Sequence, residues 1–328
     1  MKVLFIGGTG NISTASSRLA VEKGMELFLL NRGSSSVSVD GATSIIGDIT
    51  KPETLTEVKQ HKWDVVVNWI AFTPEDIERD LALFRGKTKQ YVFISSASCY
   101  QTPLSYPVIT ESTPVCNNLW DYSHNKILCE QRLQKAYSEE GFPMTIVRPS
   151  LTYDTVIPVA IGGFDKYNIV DRIKKGKEII VHGDGTSLWT VTHADDFAKG
   201  FVGLLGLTQA VGHPFHITSD ELLTWNMIYT ILADALGKEA KVVHIASDFI
   251  CKIAPSFKGT LLADKAESVL FDNTKIKTFV PGFKATIPFA EGIKRTLKWL
   301  EEHPEKQHID SGTEADIEAV LKAYKRLG

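Results

Sequence analysis

The apolar-leaning pentad Lys2-Val3-Leu4-Phe5-Ile6 runs directly into Gly7-Gly8-Thr9-Gly10-Asn11-Ile12-Ser13 and then into a helical stretch. A buried strand, a glycine-rich turn and a helix N-terminus in that order aim backbone N–H groups at one small volume. The positive end of the helix dipole points there too, so the arrangement is an anion site. Gly7 permits the tight turn, and Gly10 lets the backbone come close to a pyrophosphate. Asn11 and Ile12 complete the loop. Ser13 stands where the third glycine of the usual spacing would be, and it is small enough to keep the helix against the sheet. A dinucleotide site at residues 7–13 is therefore expected.

The chain has 328 residues, enough for a sizeable core and a second lobe. Its net charge of −3, with no long basic tract, gives no footprint for nucleic acid, and none is expected as a partner. Cys99, Cys116, Cys129 and Cys251 are widely spaced with no C-x-x-C pair, which reads as idle thiols in a reducing compartment. No apolar run approaches the ~18–20 residues of a membrane span, so no membrane partner is expected. A cytoplasmic enzyme is the expectation.

Apolar runs and helical patterns alternate through the first half. Glu26–Asn31, Thr43–Gly47, Asp64–Ala71, Gln90–Ser95 and Pro143–Arg148 read as strands, with helical patterns at Pro52–Gln60, Pro74–Phe84 and Tyr122–Glu140. Nearly continuous apolar strands separated by helices predict an α/β fold, a doubly wound parallel sheet covered on both faces. Ligands of such sheets lie at the carboxyl ends of the strands. Beyond residue 150 the pattern loosens. Leu151–Lys177 looks irregular, Glu178–Val181 looks like a strand, and Asp195–Leu205 looks helical. His213–Thr218 reads as a strand returning to the sheet, and the chain from Thr224 to the amphipathic Thr313–Leu327 reads as mostly helical. The expected organisation is a dinucleotide-binding region at 1–154, to which 183–220 return. A smaller, mostly helical substrate lobe comes from 155–182 and 221–328.

A second signal is Tyr122-Ser123-His124-Asn125-Lys126. Tyr and Lys at i and i+4 share a helix face, and an ammonium beside a phenol is expected to lower its pKa into proton-transfer range. A surface tyrosine with a solvated lysine would show the same spacing. The upstream strand ends in Ser95-Ser96-Ala97-Ser98, which places hydroxyls at the carboxyl end where a hydrogen-bond donor for a reacting oxygen belongs.

Together the glycine loop, Tyr122 to Glu130, Arg148-Pro149, Gly183-Asp184-Gly185 and Asp196 resemble the extended short-chain dehydrogenase/reductases, the NAD-dependent epimerase/dehydratase group. The resemblance runs in order through about two-thirds of the chain. It implies Tyr122 as acid/base, Lys126 holding the nicotinamide ribose, and Ser96 bonding the reacting oxygen. It also implies that Ala71 lines the nicotinamide, that Asp48 lines the adenine, and that the protein is a homodimer through Pro74–Phe84 and Tyr122–Glu140. The tail residues 271–276 and 299–301 resemble an atypical branch that includes plastid stem-loop-binding proteins.

NAD binding usually needs a carboxylate at the end of the second strand. Here the segment is Asn31-Arg32-Gly33-Ser34-Ser35, which has no carboxylate and offers Arg32 and serine hydroxyls to a 2′-phosphate. NADP is therefore placed ahead of NAD, with the alternative that Arg32 merely solvates a loop or stacks on the adenine. The family's sugar dehydratases carry Asp-Glu after the catalytic Ser/Thr, whereas Ala97-Ser98 stand here, so that elimination is not expected. Where its nucleotide-sugar enzymes place an Asn and an Arg for the nucleotide diphosphate, this chain has Leu151 and Trp189. Loss of a guanidinium removes anion binding and indole adds apolar surface. A small-molecule substrate touching Ser98, Glu111 and Trp189 is expected, with core packing the alternative for Trp189. No metal is expected, because His193, Asp195 and Asp196 lack further ligands. The expected function is an NAD(P)-dependent oxidoreductase or epimerase acting on a hydroxyl or carbonyl carbon of a sugar-like or small alcohol substrate. The alternative is a non-catalytic dinucleotide- or RNA-binding protein of the same fold.

Overall fold

The computed structural model describes residues 1–34 and 37–326. Ser35, one of the serines near Arg32, and Leu327, the end of the expected last helix, lie outside the described residues. Seven strands form one parallel sheet: β1 (Lys2–Ile6), β2 (Glu26–Asn31), β3 (Thr43–Ile46), β4 (Trp63–Asn68), β5 (Thr88–Ile94), β6 (Met144–Pro149) and β7 (Pro214–Ile217). Their order across the sheet is β7-β6-β5-β4-β1-β2-β3, so the chain reverses direction of growth beside β1 and β4. A switch of that kind opens a crevice above the carboxyl ends of those strands. The strands are Val-, Ile-, Leu- and Phe-rich because both faces are covered.

On one face, α1 (Ser13–Glu22) and a helix from Ala194 to Leu204 cover β1 and its neighbours, with Phe5, Val65, Phe197 and Phe201 buried together. On the other face lie α2 (Pro74–Phe84) and α3 (Asp121–Glu140), burying Ile77, Leu81, Cys129 and Leu133 against Leu4, Val66 and Phe93. A third cluster, including Trp189, Trp225, Phe257 and Phe289, holds the second lobe together.

The structure departs from the sequence pattern in three places. The strand expected over Asp64–Ala71 stops at Asn68, and Trp69 and Ile70 turn out over the crevice. Asn68 causes the turn: its side-chain oxygen accepts the Ile70 N–H at 2.8 Å, while its amide donates to buried Asp80. Leu151–Lys177 is more ordered than its pattern suggests, with a strand at Leu151–Tyr153 paired to Val191–His193 and a helix at Asn168–Lys174. The largely helical tail also supplies a strand, Lys241–Ile245, which pairs in parallel with Glu178–His182. Short strands that pair far along the chain carry too few residues for an alternation to show. Among the described residues, no helix is long and apolar enough to cross a membrane.

Candidate active site

The glycine loop is shaped by steric need. Gly7 and Gly8 hold φ of +90° and +110°, a region that L side chains avoid. A Cβ on Gly8 would lie 2.8 Å from Leu29 Cδ2. Gly10 differs: a Cβ there would meet nothing closer than Ser13 Oγ at 3.4 Å, so the fold itself does not demand glycine at this position. Ser13 does more than replace a glycine, since its Oγ accepts the Gly10 N–H at 2.8 Å and braces the loop. Asn11 ties the loop to the second lobe, donating to Thr152 O at 3.0 Å and accepting the Asp154 and Thr155 N–H groups. Helix α1 begins with no side-chain cap and no acidic residue in its first turn. Of its leading N–H groups, Thr14 bonds to Gly10 O at 3.0 Å, and none is satisfied by a side-chain cap. An uncapped N-terminus over a glycine cradle fits a dinucleotide phosphate.

One cavity of about 1050 Å³ collects the predicted groups: Gly7, Gly10, Asn11 and Ile12, then Asn31, Arg32 and Asp48, then Ser96, Ser98, Tyr122, Lys126 and Trp189 all line it. Arg32 and Asp48 flank one end, and their attraction helps hold the Asp48 carboxyl below its usual range, behind the larger effect of hydrogen bonds from Thr50. Trp189 is only 2% exposed and its indole N–H has no partner, so it packs as core while presenting an edge to the cavity.

Ser96 sits just past β5, where its Oγ lies 2.9 Å from Ser98 Oγ, which in turn accepts from Ser123 at 2.8 Å. Behind this, Ser95 donates to Glu130 at 2.5 Å, and Glu130 forms a two-point pair with Arg148 at 2.9 and 2.6 Å. That buried pair joins α3 to β6, with Ser95 linking it to the end of β5. Lys126, 1% exposed, donates to Ala71 O at 2.6 Å and Ile94 O at 2.7 Å, its ammonium 4.3 Å from the Phe72 ring.

Burial pushes the Tyr122 phenol up to about 12, with a Ser96 hydrogen bond pulling the other way. Burial also brings Lys126 down to about 8. The expected lowering of the phenol by the ammonium is therefore not seen: Lys126 is drawn to two carbonyls, 5.9 Å from the Tyr122 ring centroid. Two further residues named from the sequence lie away from the cavity lining. Ala71 is fully buried beneath the cavity, and it contributes the carbonyl that holds Lys126 instead of a wall. Glu111 is outside the cavity, where it accepts the His216 N–H at 3.2 Å beside the sheet edge. His124 is exposed and bonded to Asn118, away from the cavity.

Several cavity residues carried no local signal. Trp120, Phe72 and Phe164 supply aromatic walls, and Asp264 and Lys265 enter from a single π-helical turn, Leu261–Lys265. Asn117 places that turn, donating to Ser98 O at 2.7 Å and Ala263 O at 2.6 Å. Asp196 is structural: it accepts the Thr286 and Ile287 N–H groups and pairs with Lys199.

The model of the NAD dependent epimerase/dehydratase family matches residues 3–218. The chain belongs to that family. It is an enzyme of the group, and its cofactor class is a nicotinamide dinucleotide, which the glycine cradle fits. Among characterised relatives, 2′-dehydrokanamycin reductase of Streptomyces kanamyceticus is 23% identical over 251 residues, covering 76% of this chain and 70% of that protein. The chloroplast stem-loop binding protein of 41 kDa b of Arabidopsis thaliana is 25% identical over 264 residues, covering 74% of this chain and 65% of its own length. Among solved structures, an epimerase from Methanothermobacter thermautotrophicus is similar with a TM-score of 0.74, 19% identity and 93% coverage of each chain. UDP-glucuronic acid 4-epimerase from Bacillus cereus, in complex with NAD, gives 0.72 at 17% identity, with 95% of this chain and 100% of that one covered. These structural likenesses establish the fold of this family member.

Proposed function

We propose that this protein moves a hydride to or from a hydroxyl or carbonyl carbon of a sugar-like or small alcohol substrate, using NADP(H) in preference to NAD(H). The observation that carries the reading is that Tyr122, Lys126, Ser96 and the glycine loop face one cavity. The bound nicotinamide supplies or takes the hydride. Tyr122 gives the substrate oxygen its proton on reduction and removes it on oxidation, and Ser96 hydrogen-bonds the same oxygen. Lys126 has three N–H donors and spends two on Ala71 and Ile94, leaving one for a ribose hydroxyl. Arg32, exposed at the far end of the cavity beside Ser34, supports the preference for a 2′-phosphate.

The wall facing Tyr122 favours a substrate without a nucleotide diphosphate. Leu151 and Trp189 offer it no charge, and Lys265 is already paired with Asp264. The Streptomyces relative is named as a reductase of 2′-dehydrokanamycin, which agrees with a carbonyl substrate of that kind. A homodimer would use the exposed faces of α2 and α3, and sedimentation of the purified protein tests it.

The experiment is transfer of deuterium from NADPH, labelled at the transferring position, to a panel of keto sugars and ketones, read by mass spectrometry. Wild type should label at least one, and Tyr122→Phe should cut the rate by about 10² or more. Tight NADPH binding with no transfer to any carbonyl would instead favour a binding-only protein. Equal transfer by Tyr122→Phe would remove the assigned acid.

A further inference from the structure

The cavity does not end at Tyr122. A second chamber of about 490 Å³ shares Trp120, Phe164 and Lys265 with it as common walls. Trp120 is the hinge between the two, its ring 5.0 Å from that of Tyr122. It is packed in place, since a Cβ on Gly259 would come within 2.6 Å of its Cδ1. Phe164 is the only non-glycine residue with positive φ among the described residues, at 62°, and the residue is 46% exposed. Two backbone bonds to Ile157, of 2.6 and 3.1 Å, hold it there. A strained, exposed aromatic at the junction of two cavities is a feature that packing alone does not require.

The chamber's carboxylates outnumber its lysines. Asp165, Asp310 and Asp316 line it, against Lys166 and Lys265. Both lysines are satisfied: Lys166 lies 3.6 Å from Asp310 and donates to Thr313 at 2.7 Å, and Lys265 pairs with Asp264. Asp310 is further engaged in capping the helix that begins at Ser311. Asp165 and Asp316 therefore remain as carboxylates without a cationic neighbour among the described residues, with Asp316 accepting only from Ser256 at 2.5 Å. Carboxylates in a chamber also lined by Trp120, Phe164 and Phe257 form the environment that an alkylammonium prefers and a phosphate avoids. The Trp189 indole N–H is buried and unpartnered in the wall of the first cavity.

We infer that this chamber is a distal substrate subsite, and that the substrate is an amine-bearing, hydroxyl-rich compound of more than one ring. One ring would reach Tyr122, while a cationic ring would pass between Trp120 and Phe164 toward Asp165 and Asp316. The inference rests on the oxidoreductase reading above. It deepens that reading by naming the substrate class.

The test is calorimetric titration of the NADP⁺-saturated protein with kanamycin as the amine-bearing probe, maltotriose as a neutral one and UDP-glucose as an anionic one. Kanamycin should bind at least about tenfold tighter than either, and its affinity should fall as salt rises. The double variant Asp165→Asn/Asp316→Asn should lose about tenfold for kanamycin while keeping the melting temperature and the NADP⁺ affinity of wild type. Asn at 316 still accepts from Ser256, so the change removes charge and preserves the local hydrogen bond. Phe164→Gly, which suits the positive φ, should weaken kanamycin binding through lost ring contact. Equal binding of the three probes, tightest binding of UDP-glucose, indifference of kanamycin to the double variant, or no kanamycin binding at millimolar concentration would overturn the inference. Each of those results in a protein that holds NADP⁺ leaves the cofactor reading standing, whereas failure to hold NADP⁺ sinks both.

Discussion

The two ends of the cavity, the proposed cofactor end and the proposed substrate end, are built by different means. The cofactor end is main chain: a strand, two glycines with positive φ, and an uncapped helix N-terminus, all within residues 2–22. The substrate end is side chain, with Trp120, Phe164, Trp189 and Asp264 arriving from four separate segments. Backbone recognition imposes steric rules on consecutive residues and so leaves a local signature. Side-chain recognition is assembled by tertiary packing and can change one residue at a time, as Leu151 and Trp189 illustrate.

The largest expected effect lies where the two ends meet. Tyr122→Phe should lower kcat by about 10²–10⁴ with NADPH affinity unchanged, since it removes a proton and leaves the cradle alone. Within the cradle, Gly8 and Gly10 should separate fold from ligand. Gly8→Ala forces a strained φ and a contact with Leu29, and should cost about 2–4 kcal/mol in chemical denaturation. Gly10→Ala should keep the wild-type midpoint and lose cofactor affinity. If both variants lose stability equally, the cradle is a packing feature.

Lys126 gives a pH test of the buried middle. Its native pKa, near 8, lies below the 10.5 of an exposed lysine. Between those values the unfolded chain carries the proton and the native one does not, so stability should rise with pH across that window. Below pH 8 both states are protonated and the burial penalty is in full force. The stability difference between wild type and Lys126→Met should therefore change by up to about 3 kcal/mol from pH 8 to 10.5 in the cofactor-free protein. A pH-independent difference would mean that the ammonium is solvated. Arg32→Ala should weaken NADPH by about tenfold and NADH little, as for loss of one phosphate contact. The smallest effect is at Glu111→Gln, outside the cavity, which should leave kcat and cofactor binding as they were.

The residues show why one end was legible and the other only partly so. The sheet strands and α2 follow from apolar runs and from the Thr73-Pro74 start, where Thr73 and Asp76 form a capping box. The end of β4 was misplaced because Val65 to Ile70 is apolar except for Asn68, and it is the Asn68 side chain that turns the chain outward. Ala71 and Glu111 were assigned by resemblance, yet one is buried beneath the cavity and the other is turned toward His216. Tyr122 and Lys126 were read as a coupled pair from spacing alone. What spacing cannot show is that two carbonyls compete for the ammonium and that burial raises the phenol. Asn117 lies on a loop and Asp264 on a single π-helical turn, and the bond from Asn117 to Ala263 O that brings the turn to the cavity depends on packing that no short window contains.

The most direct test of the central claim is titration of the purified protein with NADPH and with NADH, following nicotinamide fluorescence. The account predicts saturable binding of both, with NADPH about tenfold tighter and that margin lost in Arg32→Ala. Absence of binding by either nucleotide at millimolar concentration would contradict it, because the cradle, Lys126 and Tyr122 would then have nothing to act with.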